Sequence, residues 1–187
     1  MRTSKDNSPY NRQPIHNNVA IGKRGELIYE GSTASTDWGS DFIGVSDVTV
    51  IGWIKARSLG GDSAGKLFDN GKFLLSVTTG NLLRLTSNNN ANTVDSENNS
   101  VSLNEWIHVA VTRTSDGIAN IYIDGQLSGS PNQDSGTPVA GTVNVFQGNN
   151  SVGNRAFDGS MLLAVYNRIF TSNEIAKDYD KTKRKMF

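Results

Sequence analysis

No cysteine occurs among the 187 residues, which excludes a disulfide framework, a thiolate metal site and a cysteine nucleophile. Only two histidines are present, His16 and His108, too few and too far apart for metal-ligand spacing between them. The opening Met-Arg-Thr-Ser-Lys-Asp-Asn-Ser-Pro lacks an apolar signal core, and no run approaches the roughly 20 apolar residues of a membrane-spanning helix. The expectation is a soluble chain, made without a signal peptide and with no membrane partner. Net charge is also missing, but its absence is local cancellation. Of 18 basic and 18 acidic side chains, residues 1–24 and 177–187 hold ten and three, leaving eight basic and fifteen acidic in between. Both ends are basic and the body is acidic, a polarity that suits docking and equally suits solvated ends on an ordinary acidic domain.

What is present reads as strands and turns. Aromatic residues make up 8% of the chain, and Gly, Asn, Ser and Thr abound beside Val, Ile and Leu, a mixture suited to short strands joined by many turns. From Trp106 to Thr114, Ile107, Val109 and Val111 alternate with Trp106, His108, Ala110 and Thr112, the period of two that lets a pleated strand bury one face. Ser115-Asp116-Gly117 turns the chain, Ile118–Ile123 alternates again, and Asp124-Gly125 supplies a tight-turn pair. In Val48–Ala56, Val48, Val50, Ile54 and Ala56 share one face while Ile51 and Trp53 take the other, which marks a central strand with both faces to bury. Shorter strands are expected at Glu26–Tyr29, Lys66–Asp69, Lys72–Val77 and Leu82–Thr86, with strand-like content at Val139–Phe146 and Ser160–Tyr166. Asn88–Ser100 and Gly129–Gly136 read as loops. Thr171-Ser172-Asn173-Glu174 forms a capping box, flanked by a Phe170/Ile175 staple, and predicts a short helix burying Ile175 and Tyr179. The organisation expected is an extended basic arm over 1–24, one domain over 25–180 and a basic tail over 181–187.

Three ordered segments resemble the laminin-G-like group of the concanavalin A-like lectin and glucanase fold: Val48–Ala56, Trp106–Gly125, and Phe157-Asp158-Gly159 through Ala164–Arg168 to Glu174-Ile175. The resemblance implies an all-β, jelly-roll sandwich of two antiparallel sheets with a short C-terminal helix. The ending Glu174–Arg184 is also similar to the ends of laminin-G-like modules in tailed-bacteriophage virion proteins, although Asp180 stands where Asn is usual. Glucanases of the fold carry Glu-x-Asp-x-x-Glu on one strand, so that one carboxylate attacks while another delivers a proton. No such triplet exists here, and Glu26 and Glu30 have no acid between them. Gly61-Asp62-Ser63-Ala64-Gly65 matches a nucleophile elbow, and Gly60–Lys66 a phosphate loop. Both need a helix afterwards, where the sequence instead offers a strand and turn. No enzyme is expected.

Two functional readings follow. In the first the chain is a virion structural protein, a capsid decoration or fibre-type module present in multiple copies and made in the host cytoplasm. Arg2, Lys5, Arg12, Lys183, Arg184 and Lys185 then dock on a capsid or other virion protein or on a neighbouring copy. Nucleic acid is not an expected partner, because the basic ends lack interleaved aromatics. In the second the chain is a free-standing lectin, with Trp38 stacking a sugar ring. The resemblance implies rim calcium for such a lectin, and Asp69 and Asp158 are the rim candidates, though an acid before a Gly or Asn-Gly turn also serves as a plain turn former.

Overall fold

The period-two segments fold as strands in the computed structural model, which describes residues 12–88, 92–148 and 155–187. The elements run β1 (Ile15–Asn17), β2 (Val19–Ile21), β3 (Leu27–Glu30), β4 (Ser35–Asp37), β5 (Val48–Ala56), β6 (Ala64–Asp69), β7 (Phe73–Thr78), β8 (Leu82–Ser87) and β9 (Asn92–Asp95). They continue with β10 (Ile107–Arg113), β11 (Ile118–Ile123), β12 (Gln126–Leu127), β13 (Gln133–Asp134), β14 (Phe146–Gly148), β15 (Asp158–Tyr166) and the helix α1 (Ser172–Met186). One sheet has seven strands in the order β1-β4-β14-β6-β7-β8-β9. The other has eight, β12-β11-β10-β5-β15-β3-β2 with β13 beside β11, and the pairings are antiparallel. This is the all-β sandwich of two antiparallel sheets that the sequence leads one to expect.

The core lies between the sheets. Val50, Ile54, Val109, Val111, Ile121 and Met161 project inward from one sheet to meet Phe73, Leu75, Val77, Leu83, Leu85 and Val94 from the other. β5 is central, between β10 and β15. Its second face packs Ile51 with Ala110, Tyr122 and Ile175 beneath α1, and Phe170 closes the edge of that cluster. The capping box at Thr171 and Glu174 is formed as the sequence predicts.

Five expectations need correcting, the first being the loop at Gly129–Gly136, where Gln133–Asp134 forms β13 beside β11. Residues 15–21 are not arm: β1 joins one sheet and β2 the other, with Asn18 at φ 54° turning the chain between them. Three-residue strands are too short to show a period, yet they close one side of the sandwich. There Tyr29 Oη, on β3, hydrogen-bonds with Thr36 Oγ1, on β4, at 2.9 Å, and Thr36 Oγ1 also meets His16 Nδ1 at 2.9 Å. Residues 181–187 do not leave as a tail, because α1 runs on to Met186. Lys and Arg are good helix formers and suit the negative end of the helix dipole. Arg24 donates to the carbonyls of Lys185 (3.2 Å) and Met186 (3.3 Å) there, and Trp53 Nε1 donates to Thr182 Oγ1 at 2.8 Å. The polar 88–100 stretch contributes the edge strand β9. The Gln133 side-chain amide accepts from Asp95 N (3.3 Å) and donates to Asp95 O (3.1 Å), standing in for a further strand. Within 139–146 only Phe146 is a strand residue, the first of β14, and residues 139–145 are irregular.

Candidate functional site

The two outer faces of the sandwich differ. α1 lies across that of the eight-stranded sheet, whereas no helix of the described residues lies across that of the seven-stranded sheet. On the latter a row of polar side chains is in register: Lys66 on β6 stands opposite Ser76 on β7, Ser76 opposite Arg84 on β8, and Arg84 opposite Asp95 on β9. All four point outward, because Leu75, Val77, Leu83, Leu85 and Val94, one residue away along the strands, point into the core. A second row alongside runs Phe146, Asp69, Leu74, Thr86 and Thr93.

A β-bulge builds one end of the polar row. The register slips between Lys66 and Phe68, so Leu67 and Phe68 both enter the core. Strict alternation would put Lys66 and Asp69 on opposite faces. The extra residue brings them to the same face, where Lys66 Nζ meets Asp69 Oδ2 at 2.8 Å, almost fully buried. At the other end Arg84 and Asp95 pair in a fork: Nε to Oδ1 at 2.7 Å and Nη2 to Oδ2 at 2.6 Å, each about one-third exposed. The hydrogen-bonded Asp95 carboxylate holds the Arg84 guanidinium in its charged form. Two-point pairing fixes the guanidinium plane and leaves its remaining N–H groups and the carboxylate rim turned to solvent. Lys66, Asp69 and Ser76 are buried, so it is the partly exposed Arg84/Asp95 end of the face whose donors and acceptors can meet the vicinal hydroxyls of a sugar.

The residues singled out from the sequence fall elsewhere or are already engaged. Trp38 packs against the main core, and its indole N–H donates to the buried Gln147 Oε1 at 2.8 Å. Asp69 belongs to the outward face, yet its carboxylate is taken by Lys66 Nζ and by Gly71 N at 2.7 Å. Asp158 lies on the other sheet, held by Arg57 Nε at 2.9 Å and Ser58 Oγ at 3.0 Å. The structure therefore does not bring the two acids together, and each is occupied by a cation of the chain itself, a poor fit to calcium. Among the described residues no cluster of three metal-ligating side chains forms. Arg12 lies 4.4 Å over the Phe42 ring, and Lys183 Nζ donates to Tyr179 Oη at 2.8 Å. Arg184 and Lys185 are exposed on α1, while Arg2 and Lys5 lie outside the described residues. Lys177, Lys181 and Arg184, spaced i, i+4 and i+7, make an exposed basic ridge along the helix. The Gly61–Ser63 segment is a short 3-10 turn feeding β6, with no helix after it. Sequence reasoning missed the Arg84/Asp95 row because each strand supplies only one member, and register alone assembles it.

Residues 30–176 match the laminin-G family described as the concanavalin A-like lectin/glucanases superfamily. The chain belongs to that superfamily. No curated protein matches it. Similar solved structures include the sialidase of Trypanosoma rangeli (16% identity, TM-score 0.73, covering 98% of this chain and 32% of that one). The binding domain of botulinum neurotoxin serotype D is 15% identical, with TM-score 0.71 and coverage of 95% and 48%. The binding domain of Paraclostridial Mosquitocidal Protein 1 is 17% identical, with TM-score 0.70 and coverage of 95% and 49%. The superfamily member described here spans a third to a half of those chains, and at such identities the likeness is one of fold.

Proposed function

We propose that this superfamily member is a non-catalytic carbohydrate-binding module whose sugar site is the outer face of the seven-stranded sheet around Arg84 and Asp95. The observation that carries the reading is the partly exposed Arg84/Asp95 pair, at the end of a registered row with Lys66 and Ser76, on a face that no helix of the described residues crosses. Two neighbours in fold support it: a sialidase seen in complex with the inhibitor DANA and the binding domains of toxins. The lack of a Glu-x-Asp-x-x-Glu triplet in the sequence favours binding over hydrolysis. A glycan array probed with the purified protein is expected to give signal that falls at least tenfold in Arg84→Ala and Asp95→Asn, while Trp38→Ala lowers the melting temperature and spares affinity. A silent array, or unchanged signal in both Arg84 and Asp95 variants, overturns the assignment.

The basic ridge of α1 favours a second reading, in which the module also docks on a larger assembly such as a virion. Lys177, Lys181 and Arg184 face solvent in one line and suit an acidic partner surface. Reversing all three to Glu is expected to abolish co-sedimentation with the native particle. Undiminished incorporation sinks the docking reading and leaves the sugar site untouched.

A further inference from the structure

Arg113 occupies an interior position. It continues the inward row of Ile107, Val109 and Val111 on β10, is 1% exposed, and is among the largest fully buried side chains of the protein. Its Nη2 donates to the carbonyls of Gly44 and Ser46 at 2.9 Å each, while its Nε–H has no partner. Among the described residues no carboxylate lies within ion-pair distance of it. A buried guanidinium normally has a carboxylate partner, because an unpaired charge in a low-dielectric interior is costly. Asp41 and Asp47 act on it only through space, and both are committed to backbone amides: Asp41 to Ile43, Gly44 and Gly141, and Asp47 to Ser115.

A second unsatisfied donor lies beside the same aromatic residue. The guanidinium carbon of Arg113 lies 5.4 Å from the centre of the Phe73 ring. Directly across from Phe73 on β8 stands Ser87, on the inward side with Leu83 and Leu85. Ser87 is 2% exposed, and its hydroxyl also lacks a partner. Two buried hydrogen-bond donors, one of them cationic, thus border the same aromatic ring from opposite sheets. We propose that Arg113 Nε–H and Ser87 Oγ–H hold a small monovalent anion of the chloride class between the sheets beside Phe73. An anion satisfies both donors and neutralises the guanidinium, where a water molecule supplies hydrogen bonds alone.

The test uses the full chain in sodium bromide, sodium chloride and sodium gluconate at matched ionic strength. The melting temperature is expected to rise with halide concentration and stay flat with gluconate, the linkage signature of a ligand bound only by the folded state. Crystals grown in bromide should show an anomalous peak beside Arg113 Nε. Ser87→Ala removes one donor from a small side chain and should weaken halide affinity roughly tenfold, the loss expected of one hydrogen bond to a charged partner. Equal melting temperatures in all three salts, or water density without anomalous signal at Arg113, overturns the proposal. A halide effect undiminished in Ser87→Ala places any anion elsewhere and overturns it too.

Discussion

Gly52 shows how much a single position is asked to do. It sits in the middle of β5 at φ 148°, and a Cβ there would run into the Leu162 carbonyl of β15. Its missing side chain lets the two central strands of the eight-stranded sheet approach with their ladder intact. Gly52→Ala is expected to destabilise the fold by about 3 kcal/mol, through backbone strain and forced separation of β5 from β15. Urea unfolding should show the midpoint fall with the slope unchanged, whereas a loss below about 1 kcal/mol would mean that the strands part freely. Arg113 makes the opposite demand. Its charge sits in the interior, and two loop carbonyls accept from it, so the 43–47 loop and the core are held by one side chain.

At the scale of elements, α1 is fixed at both ends by different chemistry. Its N-terminus is set by the capping box and by Arg168, whose Nη2 lies 2.8 Å from Glu174 Oε1. Hydrogen bonding to Arg168, then to the Thr171 amide, lowers the Glu174 carboxyl from 4.5 to about 2. A carboxyl with a lowered folded pKa stabilises above its unfolded value and loses that contribution as pH falls. The first turn of α1 is therefore expected to loosen between about pH 4.5 and about pH 2. A carbon-13 titration of the Glu174 carboxyl checks this, and Arg168→Ala should move its midpoint up toward 4.5; a midpoint that stays put would show that Arg168 contributes nothing. Elements whose pattern repeats several times were legible in the sequence: β5 and β11 have the boundaries expected, β10 differs by one residue at each end, and the capping box placed the start of α1. β1, β2 and β14 have three residues each, too few for a period, and β9 is a polar strand whose edge is held in part by the Gln133 side chain. Of the site, only Asp69, beside the row, stands out in the sequence, and Ser76, Arg84 and Asp95 do not. Register across four strands and a bulge at Leu67 decide which side chains meet.

For the whole molecule, both sides of the sandwich are managed. β1 and β2 step from one sheet to the other on one side, and on the other Gln133, on β13, binds the edge of β9. The open edges that invite pairing with other chains are thereby short or covered. The strand order carries a further consequence, in time. β14 lies between β4 and β6, and β15 between β3 and β5, so in each sheet a strand that begins after residue 145 is inserted between two that end before residue 70. Until a ribosome has passed residue 148 neither sheet can be continuous, and the eight-stranded sheet must wait until residue 166, so β3, β4, β5 and β6 each wait with an unmatched side. Such long-range pairing closes large loops before any reward and makes for slow folding. The protein is thus assembled after synthesis more than during it, and an interrupted chain has sticky edges that the finished one conceals.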